Sequence, residues 1–184
     1  MQRLRTVLLI TVLAAIGAAP LAIAQTSPPA SFGVTVDVLT LTNFGSYFSL
    51  PVGLRLSADY RLASIASGLS WTAGGQAGWW MESFRDTFHF HPELIPVMVP
   101  CAVSTSLRWD PIPALSLEVG AQVGVVLEFC PGAPPAVLLV LSPEVGLRWY
   151  LANRAGLELR MGWAWVGADP VWGGPSVRAG AVLR

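Results

Sequence analysis

The only two histidines of the chain, His89 and His91, stand in "TFHFHPE" at residues 87–93. They share parity, so an extended segment presents both imidazoles on one side. Glu82, Asp86 and Glu93 are close enough along the chain to add carboxylate oxygens to a metal site. Ser83, Asp86 and His89 also include the residue types of an activated hydroxyl nucleophile. Neither set has a spacing that fixes a site. Two imidazoles with an unfixed carboxylate are weak evidence for a metal, and the Ser, Asp and His match no arrangement that holds a base against a hydroxyl. The stretch is read as a solvated loop. No catalytic residue, metal ligand or cofactor site is assigned, and the protein is expected to be non-enzymatic.

A larger set of reactive groups recurs at alternate positions. In "SLRWDPIPALSLEVGAQVGVVLEF", residues 106–129, the odd positions from Leu115 are all apolar, and the even positions carry Ser116, Glu118, Gly120, Gln122, Gly124 and Glu128. Period two over fifteen residues is the period of a strand, and it runs far beyond the usual 5 to 6 residues of a strand in a soluble sheet. The pattern repeats through the chain. It predicts eight strands near 32–41, 50–61, 68–80, 97–109, 114–129, 137–150, 155–166 and 175–184.

The charges fall on the polar parity of these strands. Arg55, Arg61, Arg108, Arg148, Arg160, Arg178 and Arg184 share it with Asp37, Asp59, Glu118, Glu128, Glu144 and Glu158. Carboxylates and guanidinium groups at matched positions suit bidentate pairing, for which the planar arginine fork is well shaped. Exposed to water they would need no such balance. Enclosed in a narrow barrel they would, because an unpaired buried charge costs several kcal/mol. The expected interior network is Arg55, Asp59, Arg61, Arg108, Glu118, Glu128, Glu144, Arg148, Glu158, Arg160 and Arg178. Arg108 is expected opposite Glu118 or one diagonal step away, and Arg148 likewise with Glu158.

Composition points the same way. The 184 residues are 53% hydrophobic and 12% charged, and the Lys and Arg total of 11 contains no lysine. A soluble domain is about 25% charged. The formal net charge is zero, so nothing recommends a nucleic-acid partner. Residues 1–24 read as a signal peptide: a basic "MQRLR", an apolar "TVLLITVLAAIGAA" and "AIA" before the cleavage point. Residues 25–31 form a short N-terminal segment, and 32–184 the barrel domain.

The connections alternate. "ASIAS", "DPIP" and "LANR" are short, whereas "TNFGSYFS", "MESFRDTFHFHPELIP", "CPGAPPA" and "GADPVWGGP" are longer. Short turns at one end and long loops at the other are the pattern of an outer-membrane barrel with both termini periplasmic. Aromatic residues on the apolar face mark the membrane edges: Tyr60, Trp109 and Trp149 near the short turns, and Trp79, Phe129, Trp163 and Trp165 near the long loops. The ten residues from Leu69 to Trp79 span roughly 26 Å at the usual rise and tilt. Toward the long-loop end the inward parity becomes apolar at Trp80, Met98, Val126, Leu138, Val140 and Val166, a candidate pocket for a small hydrophobic ligand. Cys101 should face residue 123 or 125. Cys130 then lies roughly 17 Å from it, beyond the reach of about 7 Å that a disulfide needs, so the two are expected to be unbridged.

This layout resembles the small eight-stranded bacterial outer-membrane barrels of the OmpX, OmpA and OmpW type over residues 32–184. "GLRWYLANRAGLELR" is similar to the aromatic–turn–GLEL hairpins of that group. The resemblance implies an all-β, eight-stranded antiparallel up-and-down transmembrane barrel in the outer membrane of a diderm bacterium. It implies the lipid bilayer and the outer-membrane insertion machinery as partners, and an OmpW-like passage of small hydrophobic molecules as the alternative to a structural or adhesive role. The chain departs from the group in ending Leu183-Arg184, where an aromatic residue is usual.

Overall fold

Residues 31–42, 48–85, 97–151, 154–167 and 171–184 are described by the computed structural model. They form one closed antiparallel barrel of eight strands. The first strand comes in two segments, Ser31–Leu39 and Leu41–Thr42, and the second to eighth are Phe48–Ala66, Leu69–Arg85, Val97–Ile112, Leu115–Phe129, Ala136–Tyr150, Ala155–Gly167 and Val171–Leu183. Each pairs with its chain neighbours. The first strand closes the ring by pairing with both the second (Ser31↔Asp59) and the eighth (Phe32↔Leu183). Closure removes every sheet edge, and eight strands leave an interior that side chains fill.

The alternation sorts the two faces in the reverse of a soluble protein. Val119 (63% exposed), Val145 (56%) and Leu54 (52%) point outward, whereas Arg108 and Arg148 (each 1%) point in. A slip of one residue in any strand would exchange these faces, placing arginines outside and valines in the lumen. The register is therefore heavily constrained.

Several strands outrun their sequence bounds. Residues 63–66 of the "ASIAS" stretch at 63–67, expected as a turn, complete the second strand. The ladder continues past Arg61 through two irregularities, between Arg61 and Ala63 and between Ser64 and Ala66, and the reversal is made by Ser67 and Gly68. Gly68 has φ +73°, a left-handed conformation that glycine adopts without a Cβ penalty, and its carbonyl accepts the Asp110 N–H at 2.7 Å. The eighth strand begins at Val171 rather than 175, running through Gly173, Gly174 and Pro175. Those residue types signal a loop locally, but pairing with the seventh strand overrides them.

Candidate functional site

The lumen is the only place where the described strands bring polar chemistry together, and it is layered. Around the short-turn end, three arginines meet three carboxylates. Arg108 Nε donates to Glu118 Oε1 at 2.5 Å and Arg148 Nε to Glu158 Oε2 at 2.5 Å. Both pairs are direct cross-strand partners on adjacent hairpins. Arg148 also bonds Asp59, and its Nη1 donates to Ser31 Oγ at 2.6 Å. Arg160 reaches Glu118 and donates through Nε to Glu158 Oε1 at 2.9 Å. Ser31 Oγ in turn donates to Asp59 Oδ2 at 3.2 Å. Glu118 thus faces all three arginines, with Arg148 Nε 3.4 Å away.

A second layer, nearer the long-loop end, holds two arginines and two carboxylates joined by two glutamines. Arg55 Nε donates to Asp37 Oδ2 at 2.6 Å, and its Nη1 to Gln76 Oε1 at 2.8 Å and Gln122 Oε1 at 2.6 Å. Gln122 Nε2 donates to Glu144 Oε1 at 2.7 Å. Arg178 bonds Glu144, and Gln76 Oε1 at 2.7 Å. Both layers are neutral by themselves. They touch through Arg160 and Glu144 at 4.0 Å.

Above the second layer the lumen turns apolar. Trp80 forms the boundary: its Nε1 donates to Asp37 Oδ2 at 2.9 Å, and the Arg55 guanidinium stacks 5.1 Å from its ring centroid, a cation–π contact. Gly53 makes this possible, since a Cβ there would lie 2.6 Å from the indole Cδ1. Over Trp80 pack Leu39, Met98, Ala102, Val126, Val140, Ala164 and Val166, with Leu138 and Trp172 at the margin. A void of about 10 Å³ among these layers is enclosed by Asp37, Leu39, Arg55, Trp80, Val140 and Arg178 among others. That is room for one water. The six residues expected as a ligand pocket, Trp80, Met98, Val126, Leu138, Val140 and Val166, gather in one cluster.

Two members of the expected network stand apart. Arg61 is exposed at the turn-end mouth, 3.9 Å from Asp110, because its strand has left the closed part of the barrel there. Glu128 sits at the loop end and accepts a weak bond from the Cys130 thiol at 3.6 Å. Sequence reading gave no network role to Gln76, Gln122, Ser31 or Asp110. Parity marks Gln76 and Gln122 as inward, but only the register shows that they bridge between arginines. At the mouth Asp110 also receives Ser116 Oγ at 2.5 Å and faces Arg184 at 3.5 Å, and Arg184 stacks 5.0 Å over Tyr150.

Tyr60, Trp109 and Trp149 lie on the outer face toward the turn end, joined by Trp71, and Trp79, Phe129, Trp163 and Trp165 lie on it toward the loop end. Trp71 Nε1 donates to Thr105 Oγ1 at 2.7 Å. Cys101 pairs across the sheet with Val125, and neither cysteine is in a disulfide. The histidines, with Asp86 and Glu93, fall outside the described residues, as do the side chains of Glu82 and Ser83 and the whole of residues 1–30.

No protein-family model matches the chain, and no curated protein matches it in sequence. Solved structures do match in shape. Neisserial surface protein A superposes with a TM-score of 0.62 at 12% identity, over 83% of this chain and 95% of that one. Ail, the attachment invasion locus protein of Yersinia pestis, gives 0.51 at 14% identity, over 85% and 99%. At such identities the likeness is one of fold: this chain is folded as a small outer-membrane β-barrel.

Proposed function

We propose that the protein is an integral outer-membrane barrel of a diderm bacterium, with both termini periplasmic, no enzymatic activity and a lumen closed by its own side chains. Its long loops face outward, and its role is structural or adhesive. The observation that carries this reading is the inversion of faces: an uninterrupted apolar exterior around paired charges. Water would leave that exterior bare, whereas a bilayer covers it. The two aromatic belts sit where headgroups would be, as amphipathic rings prefer. The paired arginines and carboxylates, nearly all of them buried, support the reading of a closed lumen. The adhesive part takes its lead from the printed name of the Yersinia pestis neighbour, an attachment invasion locus protein. Residues 1–24 would direct export, and the insertion machinery would place the barrel.

The test is migration on a gel. Protein from the outer-membrane fraction should run differently before and after boiling, because a closed barrel resists detergent until heated. Identical migration, or recovery of the protein in a soluble fraction, would overturn the reading. An epitope inserted near Thr87 should label on intact cells, and labelling only after permeabilisation would reverse the topology.

A further inference from the structure

Proline has no N–H, so a proline within a strand removes one ladder bond from one seam. Apart from Pro111 at the turn end of the fourth strand, four stand within these strands: Pro51, Pro100, Pro143 and Pro175. Each lies on the loop-end side of the charged interior residues of its own strand. Beside the first charge layer the ladders are continuous, whereas gaps at Gly78–Trp79 and at Ser142–Pro143 adjoin the second.

Two of the four flank the same short piece of the first strand. The ladder between strands one and two runs to Val38↔Val52 and resumes at Leu41↔Ser49. The missing donor is Pro51, opposite the Leu39 carbonyl. Thr40 turns its N–H and C=O toward strand eight, so the preceding Leu39 turns its own toward strand two and Pro51. On the other side, the ladder between strands one and eight runs to Leu39↔Ser176 and resumes at Thr42↔Gly173. Thr40 N–H donates to the Pro175 carbonyl at 2.9 Å, but Pro175 has nothing to return to the Thr40 carbonyl. Two successive carbonyls of strand one therefore lose their ladder donors, one toward each neighbour. This is why the strand divides at Thr40.

Behind this point lies the small cavity, bounded by Asp37, Val38 and Leu39 on strand one and by Ser176 and Arg178 on strand eight. Its floor is charged and its roof is the apolar cluster to which Leu39 belongs. Anything apolar in that cluster is barred from the turn end by two layers of ion pairs.

We propose that Leu39–Thr42 is a lateral latch. The segment unzips from strands two and eight about Thr40 while the charge layers stay shut, withdrawing Leu39 from the cluster. The apolar compartment then opens sideways, and a single unbranched apolar chain, such as a lipid acyl chain, enters in its place. The direction of entry rests on the lipid-facing reading of the exterior. The latch itself rests only on the ladders.

Amide hydrogen exchange on the wild-type protein tests the latch, in detergent micelles as well as in lipid nanodiscs. Local opening shows as faster exchange in the opening unit than in its neighbours. Leu41 and Thr42 should exchange at least about tenfold faster than Thr35–Val38, and Pro51→Val with Pro175→Val, which restores both donors, should slow them by about tenfold. Equal rates in the wild type would overturn the latch, as would rates unmoved by the double substitution. Entry is read separately with Val140→Cys in a Cys101→Ser, Cys130→Ser background in nanodiscs. A long-chain alkyl maleimide dissolved in the bilayer should label Cys at 140 faster than a charged water-soluble one, and the proline substitutions should slow only the former. Faster labelling by the charged reagent would show access from the aqueous end and overturn lateral entry.

Discussion

The two halves of the lumen solve the same problem, filling a narrow barrel, with opposite chemistry. Toward the turn end, five arginines and five carboxylates form two neutral layers, the first of them walled by ladders without a gap. Toward the loop end, apolar side chains pack with Trp80 and Trp172, and prolines interrupt the ladders. Ion pairs are directional: each guanidinium needs its carboxylate within a few tenths of an ångström, so the charged half tolerates one register and one arrangement. Apolar packing is non-directional and can be rebuilt around a different occupant. The charged half is thus suited to holding the barrel closed, and the apolar half to yielding. Charge burial is not a gain in stability by itself, since replacing such pairs by well-packed apolar groups is often neutral. Its value here is specificity, because a slipped strand would carry arginine into lipid.

Breaking the charged half should have the largest effect. Glu118→Ala leaves Arg108, Arg148 and Arg160 with one carboxylate too few, and should cost on the order of 3 to 5 kcal/mol in a urea refolding titration. Val119→Arg, one residue away but on the outer face, should cost about 2 to 4 kcal/mol near mid-bilayer. Gln122→Ala strands one Arg55 N–H bond and one Glu144 acceptor in a buried site, and should cost roughly 1 to 3 kcal/mol. In the apolar half, Val126→Ala removes two methyl-sized groups and should cost about 1 to 2 kcal/mol. Glu128→Ala, on the same strand as Glu118 but outside both layers, should change stability by less than about 0.5 kcal/mol. Were Glu118→Ala and Glu128→Ala to cost the same, the distinction between a layered network and scattered inward charges would collapse.

Much of this arrangement is legible in the sequence because a closed barrel obeys one strict rule, period two. Parity alone assigns Arg108, Glu118, Arg148 and Glu158 to one face, and the short "DPIP" and "LANR" turns set them opposite each other. Parity cannot rank the members of that face by depth. Arg61 and Glu128 satisfy it as well as Arg108 does, yet they lie at the two mouths. Gln122 reads as a neutral lumen residue, although its position between Arg55 and Glu144 makes it a bridge. The effect of the prolines is hidden for a related reason. Pro51 and Pro175 are far apart in sequence, and only the closure of strand eight on strand one brings them to adjacent residues of the same strand. Local breaker signals also misplace ends: Gly173 and Gly174 suggest a loop where long-range pairing makes a strand.

The claim that the lumen is shut by paired charges is tested most directly by current through a planar bilayer containing the purified protein. The expected record is a flat baseline without a large steady pore, since the paired side chains would fill the path. A stable, porin-sized, weakly selective current from the wild type would contradict it, showing that the arginines and carboxylates line an open channel instead of filling one.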